Sequence, residues 1–314
     1  MSESNIAIEL KNVDKHFGAV HANSKVSLTV QSGTIHGIVG ENGAGKSTLM
    51  SILYGFYQAD SGQIKVFDKD FRATSSKQSI EAGIGMVHQH FMLVDNFTVL
   101  ENVILGSEGS ALITQSLEKA RIELTRLAKE YGLEVELDIA VEDLSVGMQQ
   151  RVEILKGLYK GAKVLILDEP TGVLTPQESD ELFRIFEALK KQGVTIILIT
   201  HKLREIMSIT DHVSVMRAGK MVAHLHTSET NPEELAELMI GRKVLLNINK
   251  TKAKSGKALL VANNLEIHNE QGLKRVTNVS FEACSGEILG IAGVTGNGQG
   301  TLLKALAGIL PLSK

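Results

Sequence analysis

The sequence has a single cysteine, Cys284, in 314 residues. An internal disulfide is impossible, and nothing ties the chain to an oxidising compartment. Long apolar runs are also missing. No uninterrupted stretch approaches the roughly 18 residues of a membrane-spanning helix. The opening residues, Met1-Ser2-Glu3-Ser4-Asn5, lack the basic start and apolar run of a signal peptide. There is no excess of positive charge either: Lys plus Arg number 33 against 36 Asp plus Glu, for a formal net charge of -3. That argues against a nucleic-acid partner held by bulk charge. What remains is a cytoplasmic globular chain, 43% hydrophobic and 22% charged, long enough for about two domains. Proline is scarce at 4 and glycine abundant at 29, and the placement of the glycines is the most informative feature.

Three short runs rich in Val, Ile and Leu read as strands buried on both faces: Ile35 to Val39, Val164 to Leu167 and Val194 to Ile199. Helical patterns separate them, which predicts an α/β fold with a mainly parallel core sheet. Leu117, Ala120, Leu124, Leu127, Ala128 and Tyr131 recur at helical spacing, and Gly132 follows as a stop. The surrounding stretch, about 95–155, has little strand character and is expected to be a helical insertion. Residues 247–256 are polar and Lys-rich and read as a linker.

Gly40-Glu41-Asn42-Gly43-Ala44-Gly45-Lys46-Ser47 fits G-x-x-x-x-G-K-[ST]. It follows a predicted strand and opens a helical pattern at Thr48, the context a phosphate-binding loop needs. Glycines let successive N–H groups converge on an anion, and the helix adds its positive end. Lys46 would reach the β- and γ-phosphates, and the Ser47 hydroxyl would ligate Mg²⁺. ATP and Mg²⁺ are therefore the expected ligands.

The sequence then repeats itself. Ser32-Gly33-Thr34-Ile35-His36-Gly37-Ile38-Val39-Gly40 is echoed by Ser285-Gly286-Glu287-Ile288-Leu289-Gly290-Ile291-Ala292-Gly293, 253 residues later. The echo continues at Gly296, Gly298, Thr301 and Leu302, so 257–314 is expected to be the opening of a second, incomplete copy of a first domain at 1–246. Its phosphate loop is degenerate: Gln299 stands where Lys46 does and Gly300 where Ser47 does. A neutral amide supplies no point charge, and glycine offers no hydroxyl to a metal.

Asp168 and Glu169 end an apolar strand. Asp168 is expected to hold Mg²⁺, and Glu169 to polarise the attacking water. His201 follows another buried strand, and Gln89 lies between His88 and His90. Taken alone, each of these has an ordinary structural reading. The two histidines have no nearby Cys or carboxylate to complete a metal site.

The order of these motifs resembles the ATP-binding subunits of ABC transporters. Leu144-Ser145-Val146-Gly147-Met148-Gln149-Gln150-Arg151 is similar to the family's L-S-G-G-Q signature, departing at Val146 and Met148. The resemblance implies that Ser145, Val146, Gly147, Met148 and Gln149 act across a dimer on a nucleotide held by the opposite loop. It also implies that Gln89 contacts Mg²⁺ or water, that His201 contacts the γ-phosphate, and that Phe17 stacks on adenine. Thr175 stands where the family usually has Asp in the loop after Glu169. An N-terminal antiparallel β part and a helical subdomain are expected on the same ground.

The tandem layout with an unequal second loop is similar to the double ATPase subunit of bacterial nucleoside and simple-sugar importers, the words GMVHQHFMLV and LSVGMQQRVEILKGLY favouring the nucleoside branch. The partners this implies are two transmembrane permease subunits, an extracytoplasmic solute-binding protein acting indirectly, and a second nucleotide-binding domain, either in the same full-length chain or by self-pairing. The expected location is the cytoplasmic face of the membrane. A sugar importer is the nearest alternative. A soluble tandem ATPase acting on ribosomes or DNA, and a regulatory module without catalysis, are further ones.

Overall fold

In the computed structural model, residues 5–89, 91–105, 113–243, 255–268, 272–293 and 296–311 are described. The chain begins with a hairpin of β1 (Ile6–Phe17) and β2 (Val20–Gln31). Val26, Leu28 and Val30 alternate inward along β2 while their neighbours face out, the period-two pattern of a half-buried strand. β3 (Ile35–Val39) is buried at every position, as expected of a strand covered on both faces. Then come α1 (Lys46–Leu53), β4 (Ser61–Val66), β5 (Lys69–Asp70), α2 (Ser76–Glu81) and β6 (Ile84–Val87). The predicted helical insertion holds α3 (Val99–Ile104), α4 (Ile113–Tyr131) and α5 (Val146–Tyr159). Thr98 and Glu101 close a reciprocal cap at the start of α3. The unit finishes with β7 (Val164–Asp168), α6 (Pro176–Lys191), β8 (Thr195–Ile199), α7 (Leu203–Ile209), β9 (His212–Arg217), β10 (Lys220–His226) and α8 (Pro232–Ile240).

These strands make two sheets. One is antiparallel, in the order β2-β1-β4-β5. The other runs β10-β9-β3-β8-β7-β6, parallel throughout except between β9 and β10. Ile8, Leu10, Leu28, Ile38, Leu49 and Ile166 fill the layer between the sheets. Leu124, Leu155, Leu167, Phe186 and Leu198 fill the layer between the parallel sheet and its helices. Burial on both faces explains why β3, β7 and β8 were legible as continuous apolar runs.

The chain divides into two compact units, Met1–Val244 and Leu245–Lys314. Most of the expected linker, 247–254, lies outside the described residues. In the second unit β11 (Ala258–His268) pairs antiparallel with β12 (Lys274–Cys284), and α9 (Gln299–Leu306) packs Leu302 against Ile267 and Val276. The sequence echo of β3 does not form a strand there. Ile288 is 94% exposed, whereas its counterpart Ile35 is 0% exposed. The physical reason is pairing. β3 lies between β8 and β9, and among the described residues of the second unit those neighbours have no counterpart.

One buried polar side chain sets a pH dependence. Burial, and then repulsion from His212 and His224, pushes the His36 imidazole from its ordinary 6.5 down to about 3. The unfolded chain takes up a proton near pH 6.5, and the folded chain does not until about 3. Stability is therefore complete above 6.5 and falls as pH drops through that window. Between pH 7.5 and 5.5 His36 alone is expected to remove about 1.4 kcal/mol. Urea unfolding at the two pH values checks this, and His36→Gln should flatten the difference.

Candidate active site

Parallel strands place their carboxyl ends together, and loops leaving those ends gather side chains that are far apart in sequence. Here β3 leads into Gly40–Gly45, β6 into Gln89, β7 into Glu169 and β8 into His201. Gly43 and Gly45 adopt φ values of 81° and 98°, a backbone sign that lets the loop curl on itself. The Ala44 N–H donates to the Glu41 carbonyl at 3.1 Å inside the curl. Helix α1 starts at Lys46 with no side-chain cap, so its first N–H groups remain available to an anion.

Lys46 is buried, and its Nζ donates to the Gly40 carbonyl at 2.8 Å and the Glu41 carbonyl at 3.0 Å. Burial pulls its ammonium below the ordinary range, while the Glu169 and Asp168 carboxylates act the other way. Burial raises the Asp168 carboxyl, and a hydrogen bond from the Ser47 side chain partly offsets that. Glu169 has a φ of 48°, rare for a residue with a side chain. The bend is fastened: its N–H donates to the Ile199 carbonyl at 2.9 Å, and its carbonyl accepts from Gly172 N at 3.0 Å. Through this bend both carboxylates face one site although they are consecutive. Glu169 Oε1 lies 2.8 Å from His201 Nδ1, and Oε2 lies 3.5 Å from Gln89 Nε2.

A cleft of about 670 Å³ unites Phe17, Asn42, Gly43, Ala44, Gly45, Lys46, Ser47, Thr48, Gln89, Asp168 and Glu169. Gly40 and Glu41 contribute backbone carbonyls to Lys46 from behind it. Phe17 is 41% exposed and meets the Tyr57 ring edge-on at 5.0 Å between centroids. The sequence reading missed Val20, His21, Ala22, Ala218 and Gly219, which also line the cleft. No sequence signal marks them: the β1–β2 hairpin and the β9–β10 turn carry them there. His88 stacks on Phe56, and His90 lies outside the described residues.

The candidate signature is elsewhere. Ser145 caps α5, its hydroxyl accepting from Met148 N at 3.3 Å. Ser145, Gly147 and Met148 line a separate groove against Leu174 and Glu178, Val146 is exposed, and Gln149 turns its amide to the Val141 and Leu144 carbonyls. In the second unit Gly296 and Gly298 repeat the positive φ values at 94° and 91°, and α9 starts at Gln299. Gln299 lies across Gly293: a Cβ there would sit 2.1 Å from the Gln299 amide nitrogen. The turn survives while its charge is gone. Gly300 and Thr301 follow within α9.

A curl of N–H donors, a buried ammonium and adjacent oxygen donors suit a polyphosphate better than any smaller anion. The oxygens of Ser47, Asp168 and Gln89 are the hard donors that Mg²⁺ prefers, so the residues fit that ion. Fold and site together define a P-loop nucleotide-binding domain. Residues 23–172 match the sequence model of the family described as ABC transporter, and the chain belongs to that family.

The chain is 47% identical over 302 residues to the nucleoside import ATP-binding protein NupA of Lactococcus lactis subsp. cremoris, covering 96% of this chain and 60% of that protein. Identity to the guanosine import ATP-binding protein NupO of Bacillus subtilis is also 47%, covering 96% and 59%. To the ribose import ATP-binding protein RbsA of Clostridium tetani it is 40%, covering 96% and 59%. The chain thus spans about 60% of the length of the curated relatives it matches. Among solved structures, a nucleotide-free ATP-binding cassette from an ABC transporter superposes with a TM-score of 0.66 at 26% identity, covering 76% of this chain and 100% of that one.

Replacing Lys46 by Ala removes the ammonium that lines the cradle. ATP affinity is expected to fall about ten- to a hundredfold, the worth of a charge-assisted hydrogen bond. Titration calorimetry reads this directly, and unchanged affinity would contradict the cradle.

Proposed function

We propose that this chain is the ATP-binding and ATP-hydrolysing part of a subunit that powers a nucleoside importer. The observation that carries the reading is the convergence of the curled loop, the Ser47–Asp168 pair and the His201–Glu169–Gln89 cluster at one end of the parallel sheet. Lys46 and the loop N–H groups bind the phosphates. Ser47, Asp168 and Gln89 would hold Mg²⁺, which would supply positive charge to the phosphates. Glu169 accepts a proton from, or orients, the attacking water, and His201 fixes the carboxylate through Oε1 and faces the γ-phosphate. Phe17 offers its exposed ring to the base.

The signature groove lies apart from this cleft, so Ser145–Gln149 serve a nucleotide on another domain. A second domain opening at 257 would supply the reciprocal surface, and the exposed Ile288 awaits its sheet neighbours. By this reading the chain alone binds ATP and hydrolyses it slowly unless it self-pairs. Exposed Phe56 and Met92 flank His88, directly before Gln89. That apolar patch suits contact with the permease subunits and supports a peripheral position on the cytoplasmic face. An extracytoplasmic solute-binding protein would act only through the permeases.

Relatives named for nucleoside or guanosine import at 47% identity support nucleosides over the ribose reading at 40%. Uptake of labelled guanosine, ribose and galactose by cells lacking the gene decides. Loss of guanosine uptake alone is expected. Loss of ribose or galactose uptake alone would transfer the role to sugars, and normal uptake of all three would end the importer reading.

A further inference from the structure

Away from the cleft, three adjoining strands carry histidines in register. His36 of β3 lies beside His212 of β9, and His212 beside His226 of β10. One step along the same face, Ser214 lies beside His224. The His212 and His226 rings meet edge-on with centroids 4.4 Å apart, and His36 and His212 are 6.1 Å apart. Ser214 Oγ lies 2.7 Å from His36 Nε2 and 2.8 Å from His224 Nδ1. With one proton to give, Ser214 donates to one ring and accepts from the other. The second nitrogen of His36, Nδ1, is buried with no hydrogen-bond partner.

These four rings line an open cavity of about 400 Å³ together with the exposed Thr29 and Gln31 of β2. No carboxylate lines it. Asp211, just before β9, favours the charged form of His212, but its carboxylate also accepts from Ile35 N at 2.8 Å and Lys190 Nζ at 3.0 Å. β2 brings no titratable group to the cavity, and β3, β9 and β10 bring only imidazoles. Burial holds the rings of His36, His212 and His224 toward the neutral state.

Four bases without an acid make an unbalanced cavity. A proton that enters finds no carboxylate in the lining, and Asp211, shared with Lys190, compensates it only in part, so the charge is costly where the rings are buried. An anion that enters finds positive charge only if a ring is protonated, when the imidazolium donates from both nitrogens instead of one. Each therefore favours the other. Among the described residues no group of three or more His, Cys, Asp or Glu is arranged to hold a metal ion. We propose that this cavity binds a small oxyanion together with one proton, the anion bridging the histidine row and the Thr29 and Gln31 side chains. A tetrahedral oxyanion has acceptors for both facing sheets, whereas a halide has a single centre. The strand it would clamp, β2, also supplies Val20, His21 and Ala22 to the cleft wall.

Sulfate is the probe, because its charge is constant across the useful pH range. The chain, with ADP saturating the loop at Lys46, is titrated with sulfate at pH 6.0 and 7.5, with chloride at matched ionic strength as control. Histidine ring signals in nitrogen-15 spectra report on the cavity directly. The expected result is saturable movement of the His212 and His226 signals, with affinity rising about tenfold per pH unit on acidification, the mark of one co-bound proton. His226→Gln, at an exposed strand end, should abolish the response and leave ADP binding unchanged, and Thr29→Val should weaken it. Equal movement with chloride, affinity independent of pH, or an unaltered response in His226→Gln would each overturn the proposal.

Discussion

Glu169→Gln is expected to leave ATP binding intact and to lower turnover about 10²–10⁴-fold, the range a general base contributes. The substitution keeps the size and planar shape of the side chain. The carbonyl oxygen of Gln can still meet His201 Nδ1, which lies 2.8 Å from Glu169 Oε1. What disappears is the second anionic oxygen, the one near Gln89, with its capacity to take a proton from water. Binding should be spared because, in the proposed function, the phosphates are held by the loop between β3 and α1 and by Lys46 and Ser47 of α1, not by the end of β7.

Removing a negative charge beside a polyphosphate also relieves repulsion, so affinity should be equal or tighter. Phosphate release at saturating ATP and Mg²⁺, set beside calorimetric binding, separates the two effects. If turnover survives, Glu169 is not the group that activates water. If binding fails with turnover, the bend at Glu169, with its φ of 48°, has been disturbed, and Glu169→Asp then distinguishes shape from charge.

Much of this was legible beforehand because it is local. β3, β7 and β8 each carry a continuous apolar run, and a strand covered on both faces needs one. The curl at Gly43 and Gly45 was readable because few residues other than glycine tolerate that backbone sign. The rest of the cleft lining was not readable. Val20, Ala22 and Ala218 contribute mostly through position, which depends on how a hairpin and a turn from separate sheets come together. The histidine row was hidden for the same reason: His36, His212, His224 and His226 are neighbours only through strand register. The echo of β3 at Ile288 shows the converse. The sequence pattern for a buried strand is present, yet no strand forms without neighbours to pair with it, because a strand is stabilised by its ladder and not by its own propensity.

The glycine curl yields the second large effect. Gly45→Ala meets two independent obstacles. At a φ of 98° the added methyl strains the backbone, and it would stand 2.3 Å from the Ala22 carbonyl oxygen and 2.8 Å from Asn23 Nδ2. The carbonyl belongs to Ala22 of β2, which sits at a register shift between the paired residues His21 and Asn23, so only its flanks are held by β1. The Asn23 amide that donates to the Gly45 carbonyl at 3.1 Å would be displaced as well. A destabilisation of roughly 3 kcal/mol or more is expected from backbone strain and overpacking combined.

Gly43→Ala is the matched control. Its φ of 81° carries a similar strain, but nothing lies within 4 Å of the added methyl, so only about 1–2 kcal/mol should be lost. Urea midpoints of the two variants measure the difference. ATP affinity should fall further in Gly45→Ala, because Lys46 and Ser47 take their direction from that residue. Equal destabilisation of the two variants would mean that β2 yields to the methyl, and that the wall of the cleft is softer than its hydrogen bonds imply.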